Sequence, residues 1–148
     1  ILGVFGLGGL LYTLVARRLI ARLGEFGLAA LGGTVVSIAF LLLLIGPTWS
    51  WAIPASLLAG LGMYMLHNTL QANATQMAPQ ARGIAVALFA TALFLGQSLG
   101  VACGAAVIDN AGAEWIFAAA VLGLFTIGML FARALRRRAK ADNPENGA

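Results

Sequence analysis

GLGMYMLHNTLQANATQMAPQARGIAVALFATALFLGQSLGVACG, residues 60–104, is the stretch on which the reading of the chain turns. Its first part is an apolar helix with one polar stripe. At roughly 100° per residue, Gly60, Tyr64, His67, Asn68, Gln71 and Thr75 share an arc of roughly 100°, while Met65, Leu66 and Leu70 lie on other faces. Thr69 and Asn73 point away from the stripe. The turn Ala78-Pro79-Gln80-Ala81-Arg82-Gly83 then leads into a second apolar helix, where Gly96, Gly100 and Gly104 recur every four residues. Their bare backbones form one smooth side suited to close helix contact. A polar stripe beside a smooth glycine face is out of place in lipid alone. It fits helices packed around a water-filled path.

The composition sets the class. Of 148 residues, 61% are hydrophobic and 9% are charged, and the mean hydropathy is +0.93. Soluble domains carry about a quarter charged residues, so the chain is an integral membrane protein. At ~20 residues per helical crossing, five spans and their connections consume it. The reading is therefore an all-α, polytopic transmembrane helical bundle of five spans, at about residues 1–15, 27–45, 52–74, 80–108 and 115–132, followed by a basic and then polar tail over 133–148. The first span is short for a crossing and opens without a start methionine, basic leader or cleavage site. The expectation is a part of a longer protein whose earlier helices are missing.

Punctuation supports these spans. Gly46-Pro47 ends the second, Trp49 and Trp51 flank the following connection as interfacial aromatics, and Pro54 sits in the first turn of the third. Pro79 closes the third span, and Asp109, Asn110, Gly112 and Glu114 are expected to form a loop before the fifth. The second and fifth spans are bulky and apolar on nearly every side, which suits a lipid-facing position.

Charge follows the same frame. Arg17, Arg18 and Arg22 lie between the first two spans, Arg82 lies between the third and fourth, and Arg133, Arg136, Arg137, Arg138 and Lys140 follow the fifth. That accounts for all nine basic residues, and the alternate connections hold none. Cytoplasmic connections favour Lys and Arg, so the C-terminus is expected on the cytoplasmic side of a cell (inner) membrane. The net charge of +4 is topology-setting and gives no reason to invoke nucleic acid. Cys103 stands alone, so no disulfide framework exists.

With the third span entering from outside, His67 to Thr75 occupy its cytoplasmic half, His67 roughly 9 Å past the midpoint at 1.5 Å per residue. Polar groups at that depth need partners or water. One reading places Tyr64, His67, Asn68 and Gln71 on the wall of a substrate cavity; the other has them hydrogen-bonding to neighbouring helices. The ladder Gly96, Gly100 and Gly104 reads as helix packing, static or sliding. Arg82 sits at the positive end of a helix, at a cost of a few tenths of a kcal/mol. Either the positive-inside preference or a partner in another segment offsets that. Paired carboxylates within a span, metal-ligand spacings and phosphate loops are all missing from the sequence, so no catalytic, metal or cofactor residue is assigned and an enzyme is not the reading.

Three runs also carry a resemblance: His67-Asn68-Thr69-Leu70-Gln71, Ala78-Pro79-Gln80-Ala81-Arg82-Gly83-Ile84-Ala85 and Leu95-Gly96-Gln97-Ser98-Leu99-Gly100. Together they resemble the tenth and eleventh helices of major facilitator superfamily transporters, most closely bacterial drug- or sugar-efflux-type members. The chain would then correspond to helices eight to twelve of twelve. The resemblance implies alternating-access transport of a small organic solute, with the third span lining the path. It implies that the first and fourth spans pack on the missing N-terminal half and that the second and fifth face lipid. The family's loop signature survives after the first span only as Arg22 and Gly24, with Ala21 at its Asp position and Glu25-Phe26 in place of its basic pair. Arg17, Arg18, Arg22 and Arg82 are the candidate topology or gating charges. A proton is a candidate coupling ion, whose carboxylate would lie in the missing half. A self-contained five-helix membrane scaffold without transport activity is the rival reading.

Overall fold

The computed structural model describes residues 1–142 and is helical almost throughout. Four long helices follow one another: α1 (Leu2–Ile45), α2 (Ala52–Met77), α3 (Arg82–Ala111) and α4 (Ala113–Asp142), with a single 3-10 turn at Trp49–Trp51 before α2. All four are long and apolar enough to cross a membrane. The helical bundle is as expected, but four helices stand in place of five separate ones. The difference lies in α1, whose 44 residues join the first two expected spans. At 1.5 Å per residue such a helix would be roughly 66 Å long, about twice the hydrocarbon thickness of a bilayer. It is broken at Gly24, where φ is 64° and ψ is −179°. No side chain tolerates that backbone well, and glycine does.

Contacts on either side of Gly24 show that the chain reverses there. In the first arm, Gly8 lies against Leu57 and Leu61, and Gly9 against Tyr64, so this arm runs parallel to α2. In the second, Glu25 meets Asn73 while Gly32 meets Gly62 and Met65, so it runs antiparallel. The charged loop expected around Arg17–Glu25 is thus helix up to the break. Arg17, Arg18 and Arg22 are good helix formers and ride exposed on the last turns of the first arm.

Close backbone approach holds the arms to their neighbours. A Cβ added to Gly8 would run into the Leu57 carbonyl, and one on Gly60 into the Phe5 carbonyl. Gly33 and Gly128 face each other, so a Cβ on either would lie 2.8 Å from the other's Cα. Because lipid is as apolar as the side chains, contact of this kind rather than water exclusion joins membrane helices. Ala29, Val36, Leu66, Ala132 and Leu135 form one buried cluster between α1, α2 and α4. Tyr12, Leu28 and Met65 form a second at the meeting of both arms with α2.

Buried polar side chains are satisfied within the helices. Ser37 Oγ donates to the Gly33 carbonyl at 2.8 Å and Thr69 Oγ1 to Met65 at 2.8 Å. Among the described residues no fully enclosed side-chain polar atom lacks a partner, as hydrocarbon requires.

The turn after α2 is closed by the Ala81 N–H, which donates to the Ala78 carbonyl at 3.0 Å. α3 then starts at Arg82, two residues later than the expected 80. The expected loop at Asp109–Glu114 shrinks to Gly112, whose φ of 102° turns the chain directly into α4. Asp109 and Asn110 belong to α3, and Asn110 Nδ2 returns to the Ala106 carbonyl at 2.7 Å. α4 likewise continues past residue 132, placing Arg133, Arg136, Arg137 and Arg138 on helix rather than in a tail. The polar end of that tail, 143–148, lies outside the described residues. α3 stands apart: none of its residues is buried.

Candidate functional site

The polar stripe of α2 divides among three neighbours. Gly60 is buried against the Phe5 backbone, so this end of the stripe is a packing contact. Tyr64 is 40% exposed, with its ring 6.4 Å from that of Phe5 and its edge over Gly9. His67 turns toward α3, where its ring lies 5.5 Å from Phe89. Asn68 faces the first arm of α1 and lines a cavity of about 410 Å³. Gln71 is half-buried, and among the described residues neither it nor Asn68 has a side-chain hydrogen-bond partner.

The Asn68 cavity is an open cleft bordered by both arms of α1 and by α2. Tyr12 and Thr13 come from the first arm, Glu25 and Leu28 from the second, and Thr69 and Ala72 from α2. Its volume falls in the range that takes a small organic molecule. Its polar groups are few and specific. The Thr13 hydroxyl spends its proton on the Leu10 carbonyl at 2.7 Å, leaving oxygen lone pairs for a ligand. Tyr12 is only 3% exposed and sits where the phenol borders the cavity. The free Asn68 amide supplies both donors and acceptors.

At the end of α2 the structure adds a feature that helical periodicity alone missed. Asn73, which lies off the stripe, is buried and donates through Nδ2 both to the Thr69 carbonyl at 2.9 Å and to Glu25 Oε2 at 2.9 Å. Gln76 Nε2 approaches Glu25 Oε1 at 3.4 Å. A carboxylate accepting from two amides gains a charge-assisted bond, which ties the reversal at Gly24 to the end of α2. Beyond it lies a second cavity of about 400 Å³, lined by Glu25, Asn73, Gln76, Met77, Leu135 and Arg138, among others. Nothing in the sequence pairs Glu25 with Asn73, 48 positions away.

The remaining candidates lie outside these cavities. Gly96 and Gly100 are exposed, and a Cβ on either would meet nothing within 4 Å; one on Gly104 would only graze Ile116 at 3.9 Å. Gly96 and Gly100 therefore face away from α1, α2 and α4, while Gly104 borders α4 loosely. Arg82 is exposed at the first turn of α3. Among the described residues no group of three or more His, Cys, Asp or Glu could hold a metal ion.

Comparison with known proteins converges on one family. Three proteins named "Probable sugar efflux transporter", from three strains of Helicobacter pylori, are each 32% identical to the chain over 126 residues. The match takes in 84% of this chain and 32% of each relative, so the chain spans about a third of the length of these curated relatives. No solved structure matches it. The profile of the Major Facilitator Superfamily matches residues 1–148. A multi-pass helical membrane protein with this match along its whole length belongs to the Major Facilitator Superfamily.

Proposed function

We propose that the chain forms the C-terminal part of a secondary transporter and carries one wall of its solute path. The supporting observation is the cavity between the arms of α1 and α2. There the unpartnered Asn68 amide shares a mainly apolar wall with Tyr12, Thr13, Glu25 and Thr69. Tyr64, His67 and Gln71 extend that wall along α2. The solute is a small organic molecule, drug- or sugar-like, in keeping with the names of the Helicobacter pylori relatives. Transport rather than chemical conversion is the activity. Transport proceeds by alternating access, with this bundle rocking against an N-terminal companion around a site near the midplane.

In this reading the two arms of α1 are separate crossings, giving five with α2, α3 and α4. The span bounds are about 1–15, 27–45, 52–74, 80–108 and 115–132. The basic turns after the first arm, after α2 and at the end of α4 then share the cytoplasmic face of the inner membrane. The open glycine face of α3, Gly96, Gly100 and Gly104, packs on the companion helices. Proton coupling, where it operates, draws on a carboxylate in those helices.

Replacing Asn68 or Gln71 by Leu in the full-length protein tests the reading. Export measured in vesicles against a panel of sugars and drugs is expected to fall while membrane abundance holds. Equal loss of export and abundance would reduce both residues to packing.

A further inference from the structure

We propose that the open cleft of about 400 Å³ at the basic end of the bundle seats the headgroup of a membrane phospholipid bearing a primary amine, with its phosphate on Arg138 and its ammonium on Glu25. The site needs only the membrane setting and stands apart from the solute path. Depth places it at the membrane surface. At 1.5 Å per residue, Glu25 lies roughly 30 Å along the second arm of α1 from Ile45. Gln76 lies roughly 36 Å along α2 from Ala52, and Arg138 roughly 38 Å along α4 from Ala113. The hydrocarbon layer is ~30 Å thick, so three separate helices bring these side chains into one headgroup layer. Two of the three, the second arm and α4, are also the ones whose bulky apolar composition suits lipid.

The lining is amphipathic, as a lipid headgroup and its chains require. Phe26 and Met77 are exposed apolar side chains, 44% and 65% accessible, that acyl chains would cover. Glu25 and Arg138 are exposed and of opposite charge. One Glu25 oxygen accepts from Asn73 at 2.9 Å and the other from Gln76 at 3.4 Å. A carboxylate has about four lone-pair sites, so room remains for an ammonium. The two amides are neutral and hold the carboxylate in place without cancelling its charge. Arg138 supplies the planar fork of donors that suits a phosphate. Among the described residues these two are the charged groups lining the cleft. A headgroup of net negative charge therefore meets the carboxylate unfavourably, and a trimethylated nitrogen has no proton to give it. Arg133, Arg136 and Arg137 are exposed outside the cleft, so they attract negative charge to this end without choosing among headgroups.

The test uses the full-length protein in mild detergent, with native mass spectrometry counting the lipid it retains. Phosphatidylethanolamine, phosphatidylcholine and phosphatidylglycerol of one acyl composition compete at equal concentration. Phosphatidylethanolamine is expected to be retained about tenfold over phosphatidylcholine, the factor corresponding to one hydrogen bond to a charged group. Glu25→Gln keeps an acceptor for Asn73, so the fold is undisturbed, and is expected to bring that ratio to about one. Arg138→Gln is expected to lower retention of all three lipids, whereas Arg137→Gln, outside the cleft, leaves the ratio unchanged. Free phosphoethanolamine lacks chains to meet Phe26 and Met77 and is expected not to displace the lipid. Displacement by it would assign the cleft to a soluble phosphate ester and overturn the lipid assignment. Equal retention of the amine and choline lipids by the unmodified protein would overturn the proposal, as would a preference that survives Glu25→Gln. Phosphatidylglycerol retained ahead of phosphatidylethanolamine would also overturn it, by showing attraction to basic residues alone. Retention needs no transport, so these outcomes are independent of the export assay on Asn68→Leu.

Discussion

Two sets of glycines in this chain have opposite surroundings. Gly8, Gly33, Gly60 and Gly62 carry the contacts of α1 with α2 and α4, each so close to a facing backbone that a methyl group would collide. Gly96 and Gly100 on α3 have the regular four-residue spacing associated with helix packing, yet open space lies in front of them. The spacing of glycines thus reports a smooth face but not what covers it. Coverage depends on which elements the chain itself brings alongside. α1, α2 and α4 satisfy one another, whereas α3 presents to its surroundings a side that its own chain leaves bare.

The largest effect follows where coverage is closest. Gly60→Leu drives a side chain into the Phe5 backbone, so it is expected to cost about 3 kcal/mol or more, read as a loss of folded protein by thermal unfolding in detergent. Gly33→Val, against Gly128, is expected to act in the same direction. Asn73→Leu removes a buried amide and leaves Glu25 without its shorter bond, a cost of about 1–3 kcal/mol in the same assay. Gly100→Leu sharpens the contrast from the other side. In the 148-residue chain it is expected to change stability by no more than about 0.5 kcal/mol, because its Cβ meets nothing. In the full-length protein the same substitution is expected to destabilise measurably, because companion helices then cover α3. Equal effects in both settings would remove the reason to place α3 at the interface.

The sequence discloses helices and their ends more readily than their relations. Apolar runs stopped by Gly46-Pro47 and by Pro79 mark the boundaries of α2 on both sides. The Arg17–Glu25 segment reads as a loop because it is charged, but its arginines favour helix and the reversal needs only the positive φ of Gly24. Asp109 and Asn110 mislead in the same way, since the turn is made by Gly112 one step later. At the candidate site, Asn68 stands out by periodicity because it lies on the polar stripe. Tyr12 and Thr13 do not, because their significance depends on the first arm lying parallel to α2. Glu25, Asn73 and Gln76 are ordinary residues in sequence. Only the fold brings the acid to the amides.

The central claim is that Asn68 borders water and solute while Leu66, two residues earlier on the same helix, does not. Single cysteines at positions 68 and 66 of the full-length protein, in a Cys103→Ser background, test it through labelling by an impermeant thiol reagent with and without transported solute. Asn68→Cys is expected to react and to be protected by solute, and Leu66→Cys, buried in the helix contact, to stay unreactive. Reaction at position 66 with silence at position 68 would contradict the account.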